Sequence, residues 1–104
     1  MPPQGPTLSL NQTQSWKYET DEFTGICEIA KDVMKVKCVF ESTDTQFYDV
    51  LEIDAYIRNL LLSPVSVERL AEQLSEGLPR MRVTVAGRAE THGWITSTVA
   101  KRFF

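Results

Sequence analysis

The run at residues 34–40 is the feature that most constrains the fold, because apolar and charged residues alternate along nearly all of it. Alternation with a period of two is typical of a β-strand that has one buried face. The sequence therefore predicts a strand over residues 34–41 in a sheet that is covered on one side. Cys38 lies on the apolar side of this strand and is expected to pack in the core. The apolar side consists of Met34, Val36, Cys38 and Phe40.

Two amphipathic helices are predicted after this strand. Apolar residues recur at helical spacing from Val50 to Leu61, and Ser63-Pro64 ends that pattern. Ser66 is a suitable N-cap for the second helix, and Gly77 and Pro79 stop it. The apolar stripe of the second helix consists of Val67, Leu70, Ala71, Leu74 and Leu78.

Shorter alternating segments complete the pattern of elements. Residues 15–18 predict a short strand before the central one, and residues 81–85 predict a strand after the second helix. A turn at Thr91-His92-Gly93 leads into a last strand at residues 94–99. The order ββααββ predicts an α+β fold in which an antiparallel sheet carries both helices on one face.

The length and composition indicate one small domain. The chain has 104 residues, of which 42% are hydrophobic. Residues 1–14 contain three prolines and little apolar content, so they predict a flexible arm, and residues 15–104 predict a single domain. A domain of this size has little room for an internal substrate cavity. We therefore expect its site to be completed by a neighbouring copy.

Charge and hydropathy narrow the function classes. The net charge of −3 argues against a dedicated nucleic-acid surface. Arg80, Arg82 and Arg88 could form a local basic patch, but the simpler interpretation is the solvated face of a strand. No apolar run approaches the length of about 18 residues that a membrane helix needs, and no leader is recognisable. The expectation is a cytoplasmic protein without a membrane partner.

The spacing of the cysteines and of the single histidine excludes a metal-binding motif. Neither cysteine has a partner at metal-ligand spacing, and His92, next to Gly93, is interpreted as a turn residue. Cys27 differs from Cys38, because it lies in a stretch with no clear strand or helix period and is followed five residues later by Asp32. Cys27 is therefore either a chemical thiol or a structural bystander.

The ββααββ order, with a glutamate at the start of the second helix, resembles the tunnelling fold of pterin- and purine-handling enzymes. The resemblance implies that Glu68 anchors the amidine-like edge of a guanine or pterin ring. A carboxylate is suited to this role because it accepts two parallel N–H bonds. A glutamate in a first helical turn is also a routine partner of the helix dipole, and that reading stays open.

Within that fold, residues 22–32 resemble the active-site segment of the 7-cyano-7-deazaguanine reductase family. The resemblance implies that Cys27 attacks a nitrile carbon to give a covalent thioimide and that Asp32 is the acid/base. It also implies that Glu41 and Ser42, at the end of the next strand, bind substrate. Glu28 replaces the proline that usually follows the cysteine, and Asp32 comes two residues early.

The cofactor residues of these reductases have no counterparts here. The family holds NADPH with lysines after the second strand and with an Arg-Gly-Gly turn, whereas residues 41–48 and 91–94 contain neither. The chain therefore resembles more closely the archaeosine-forming branch, which needs no cofactor and adds ammonia to the nitrile to give an amidine. The implied partners are 7-cyano-7-deazaguanine, free or within tRNA or DNA, ammonia, and further copies of the chain in a homo-oligomer with sites between subunits. The alternatives are an NADPH-dependent reductase and a non-catalytic purine- or pterin-binding module.

Overall fold

A computed structural model describes residues 15–42 and 49–100. They form an α+β fold with one antiparallel sheet of five strands and two helices, as the sequence predicts at this level. The predicted arm at residues 1–14 lies outside the described residues. The elements are β1 (Trp16–Glu19), β2 (Phe23–Ile26), β3 (Val33–Ser42), α1 (Val50–Leu60), α2 (Val67–Gly77), β4 (Arg82–Ala89) and β5 (His92–Ala100).

The central strand β3 pairs with a broken strand on one edge and with β4 on the other. β1 and β2 lie one after the other along the same edge, in registers that place Glu19 opposite Val39 and Phe23 opposite Val36. Three residues of the edge therefore oppose two of β3, which is a bulge. The backbone N–H of Thr20 donates to the carbonyl of Cys38 at 2.9 Å, and the Thr20 hydroxyl accepts the N–H of Cys38 at 3.0 Å. These bonds hold the break in place.

The strand β2 shows that the four residues before Cys27 are regular, although the sequence there has no clear strand or helix period. These four residues are paired along their whole length with β3. Gly25 supplies no side chain to the alternating pattern, and its place above the sheet is filled by Leu61, whose Cδ2 lies 2.8 Å from a Cβ built at Gly25. A four-residue strand with one glycine leaves too little alternation to read.

Both helices cover one face of the sheet, as predicted. The inward residues of β3 are fully buried, and so are Ile53 and Ile57 of α1 and the predicted stripe of α2. Ser66 is the N-cap of α2, and its hydroxyl accepts the N–H of Arg69 at 3.1 Å. Tyr18 of β1 donates a hydrogen bond of 2.7 Å to Asp54 of α1, which fixes that helix over the same face.

The opposite face of the sheet carries polar and charged residues and is not covered by any described element. β4 and β5 are longer than predicted, since β4 continues to Ala89 and β5 begins at His92. The turn between them is therefore Glu90-Thr91, and His92 belongs to a strand. In the described part of the chain, no helix has the length and apolar character needed to span a bilayer.

Candidate active site

Cys27 lies in a tight turn that joins β2 to β3. Its N–H donates to the carbonyl of Asp32 at 3.0 Å, and its own carbonyl accepts the N–H of Lys31 at 2.8 Å. Lys31 adopts φ = 64°, the left-handed conformation that a turn of this shape requires and that side chains other than glycine adopt rarely. The turn fixes the backbone of Cys27 at one end of the sheet.

The segment that leads into α2 crosses this turn. The N–H of Val65 donates to the carbonyl of Ile26 at 3.0 Å, and the N–H of Glu28 donates to the carbonyl of Val65 at 3.3 Å. These bonds form an isolated parallel bridge between Cys27 and Val65. As a consequence, the first turn of α2, which contains Glu68, lies beside the Cys27 turn.

The Cys27 thiol is buried, with 6% of the residue exposed, and it is surrounded by hydrogen-bond donors. The N–H of Ala30 lies 3.5 Å from its Sγ atom. This N–H is the main cause of a lowered pKa of Cys27, and the N–H of Ile29 and the side chain of His92 lower it further, while burial opposes the shift. Lowering the pKa of a cysteine raises the fraction of thiolate, which is the nucleophilic form.

His92 borders the same small cavity as this thiol. Its Nδ1 lies 2.6 Å from the carbonyl oxygen of Gly93. A carbonyl can only accept, so Nδ1 carries a proton, and Nε2 is the ring nitrogen left for a further partner. The Gly93 carbonyl raises the pKa of His92, and the neighbouring Cys27 thiol raises it further. The two shifts favour a thiolate–imidazolium pair.

Asp32 links the Cys27 turn to the β4–β5 turn, directly before His92. Its Oδ2 accepts the N–H of Thr91 at 3.2 Å, and its charge adds to the raised pKa of His92. Its Oδ1 is buried and has no hydrogen-bond partner among the described residues. Asp32 therefore affects the thiol indirectly, through its charge acting on His92. Its Oδ1 atom can still accept a hydrogen bond from a ligand.

Cys27, Glu68 and His92 border one small cavity of about 150 Å³. Glu68 is exposed in the first turn of α2. Small-molecule sites usually measure about 300–1,000 Å³, so this cavity is smaller than a usual ligand site. The remaining lining is apolar or small and consists of Ile29, Ala30, Met34, Ser66, Val67 and Ile95.

Glu41 and Ser42 lie far from this cavity within one chain. They are at the end of β3, whereas the Cys27 turn precedes its beginning, and a ten-residue strand spans about 30 Å. Ser42 is also buried, with 4% of the residue exposed. Their predicted role in substrate binding therefore requires a second copy of the chain. Cys38 is fully buried as predicted, and burial raises its pKa to about 12.

His92 is the site residue that the sequence analysis missed. A lone histidine beside glycine is usually a turn residue, and nothing in the local pattern separates it from one. The available signal was its position, because the last hairpin is the place where the resembled reductases have their Arg-Gly-Gly turn. In the described residues, no group of three His, Cys, Asp or Glu side chains is placed to hold a metal ion.

Comparisons with models of known families, with curated proteins and with solved structures returned no match.

Proposed function

We propose that the chain is a 7-deazaguanine-modifying enzyme that captures the nitrile of 7-cyano-7-deazaguanine on Cys27. The observation that carries the proposal is the buried Cys27 thiol, which lies near the N–H of Ala30 and shares one small cavity with His92 and Glu68. Ala30, Ile29 and His92 together lower the pKa of this thiol. A nitrile is a poor electrophile toward a neutral thiol, so the reaction needs thiolate character and a proton for the nitrile nitrogen. The Cys27–His92 pair supplies both.

In the first step, the Cys27 thiolate adds to the nitrile carbon and forms the C–S bond. One π bond of the nitrile breaks, and its electron pair goes to the nitrogen. That nitrogen takes the proton from Nε2 of the His92 imidazolium. The product is a neutral thioimide on Cys27 and a neutral imidazole, so that charge and protons balance.

In the second step, ammonia adds to the thioimide carbon and gives one proton to Nε2 of His92. The C–S bond then breaks, the Cys27 thiolate leaves, and the base carries an amidine. The sum of the two steps is nitrile plus ammonia to amidine, with the thiolate–imidazolium pair restored. The Asp32 carboxylate stabilises the imidazolium and fixes the turn at Thr91 through its hydrogen bond. Its predicted role as the acid/base is an alternative to proton transfer by His92.

Glu68 receives the base in this proposal. Its carboxylate accepts the ring N–H and the exocyclic amine of the deazaguanine as two parallel hydrogen bonds. Because the cavity in one chain is smaller than a usual ligand site, a second copy completes it. Such an assembly is also the arrangement in which Glu41 and Ser42 of another copy reach the base.

The test is an intact-mass measurement after mixing the protein with free 7-cyano-7-deazaguanine. We expect the wild-type chain to gain the full mass of the base, Cys27→Ala to gain nothing, and Cys38→Ala, the matched control, to gain the same mass as wild type. A wild-type protein that binds the base without an adduct would show a binding module instead.

The proton carrier and the second step are tested separately. If His92 transfers the proton, His92→Asn slows adduct formation by about two to four orders of magnitude, and Asp32→Asn slows it less. The reverse order returns the acid/base role to Asp32. Adding ammonia should release an amidine, whereas steady consumption of NADPH with an aminomethyl product would identify the reductase alternative.

A further inference from the structure

A concavity larger than the Cys27 cavity lies at the same end of the sheet. It measures about 600 Å³ and is bordered by Lys35 of β3, Arg88 of β4 and the β4–β5 turn. Lys35 and Arg88 are direct cross-strand partners and point to the uncovered face of the sheet. His92 borders both this concavity and the small Cys27 cavity. Among the described residues, His92 is therefore the one lining residue that the two spaces share.

Two basic side chains on this face lie close to the ring of Trp94. The guanidinium of Arg88 lies 5.6 Å from the centre of the Trp94 ring, and the ammonium of Lys37 lies 5.7 Å from it. Trp94 is the direct partner of Arg88 in the β4–β5 pairing, and 47% of it remains exposed. Three cations and an accessible aromatic ring thus occupy adjacent strands of one open sheet face.

Two carboxylates accompany these cations. Glu22 lies 3.8 Å from the ammonium of Lys37, and Glu90 borders the concavity. Lys35 instead donates to the hydroxyl of Thr24 at 3.0 Å, which leaves its charge uncompensated by that contact. The cluster stays cationic on a chain whose net charge is −3, so positive charge is segregated to this patch.

We propose that this open face, defined by Lys35, Lys37, Arg88 and Trp94, binds single-stranded nucleic acid. Lys35 and Arg88 contact a phosphate in the concavity, and one base stacks on Trp94. Backbone-tracking cations beside an accessible aromatic ring are the usual means of holding a single strand without reading its sequence. The inference goes beyond the proposed function, because these four residues lie outside the Cys27 cavity and their binding of a strand needs no reaction at the thiol.

The test uses a fluorescein-labelled single-stranded oligonucleotide of twelve unmodified nucleotides and the full chain at low salt. We expect Lys35→Ala and Arg88→Ala each to weaken binding about ten-fold and to make its salt dependence shallower by about 0.7 in logarithmic slope. Arg82→Ala is the matched control, since Arg82 is exposed on the same face of β4 at its other end. It should leave affinity within two-fold, and Glu90→Gln should tighten binding.

Stacking is read from tryptophan fluorescence in a Trp16→Phe background, where Trp94 is the remaining tryptophan. Saturating oligonucleotide should quench this emission. Four results would overturn the inference: no binding at 100 µM protein, equal losses for Arg82→Ala and Arg88→Ala, tighter binding to a duplex of the same length, or displacement of the strand by micromolar NADPH. Because the oligonucleotide carries no nitrile, its binding is independent of adduct formation with the free base, and either result can fail without the other.

Discussion

Replacing Gly87 with alanine should destabilise the protein, although alanine is normally the better residue in a strand. A Cβ built at Gly87 lies 2.6 Å from Cγ2 of Val67 and 3.1 Å from Sδ of Met34. Val67 is 3% exposed and β-branched, so it has few rotamers and no space into which to turn. The first turn of α2 therefore has to move away from the sheet.

The expected magnitude combines two effects. Exchanging glycine for alanine at a compatible backbone conformation stabilises by about 0.4–1 kcal/mol, because the unfolded chain loses freedom. Overpacking a core costs about 1–3 kcal/mol. Gly87→Ala should therefore lower the free energy of unfolding by about 1–2 kcal/mol. Gly93→Ala is the matched control, since no atom lies within 4 Å of its added Cβ and neither glycine has a positive φ.

Urea unfolding followed by circular dichroism measures both variants. Adding Val67→Ala to Gly87→Ala removes the clashing methyl group, so the double variant should be more stable than the sum of the single losses by at least about 0.5 kcal/mol. The reasoning is refuted if Gly87→Ala is as stable as Gly93→Ala, or if the double variant shows simple additivity. The displaced helix turn should also slow adduct formation, because Glu68 follows Val67 directly.

Three further outcomes are expected. Burial raises the pKa of Cys38 from 9.0 to about 12, so the unfolded chain loses this proton at a lower pH than the folded chain. The free energy of unfolding should therefore fall above pH 9 by about 1.4 kcal/mol per pH unit. Urea titrations across that range should show a shallower fall for Cys38→Ala. Glu68→Gln should bind the deazaguanine about ten- to a hundred-fold more weakly in calorimetry, with unfolding unchanged; equal affinity would leave Glu68 as a helix-dipole partner. Light scattering at micromolar concentration should report an oligomer, and a monomer would contradict the shared site.

The elements with many periodic residues were predictable from the sequence. β3 and α2 show their periods over eight or more residues, and the structure places them within two residues of the prediction. β2 could not be predicted from the sequence pattern, because Gly25 interrupts a strand of only four residues. This strand is stabilised by its pairing with β3, about ten residues further along the chain. Local pattern does not report pairing of this kind.

The candidate site was predictable only in part, for the same reason. Cys27 and Asp32 were found because they share one turn, and Glu68 because it begins a helix. His92 reaches the thiol only after the Val65 bridge and the β3–β4–β5 registers have brought three separate segments to one end of the sheet. That juxtaposition is a property of the fold, and the residues around position 92 carry no local sequence pattern that predicts it.

Because the helices cover only one face of the sheet, alternate residues of β4 are under different constraints. Val83, Val85 and Gly87 face the helices and are constrained by packing, whereas Arg82 and Arg88, one pleat away, face outward. Evolution or a protein engineer can therefore change every second residue of this strand without disturbing the core. The outward set can be exchanged to suit a new partner while the thiol beneath keeps its environment, so recognition and chemistry in this small chain are free to diverge at different rates.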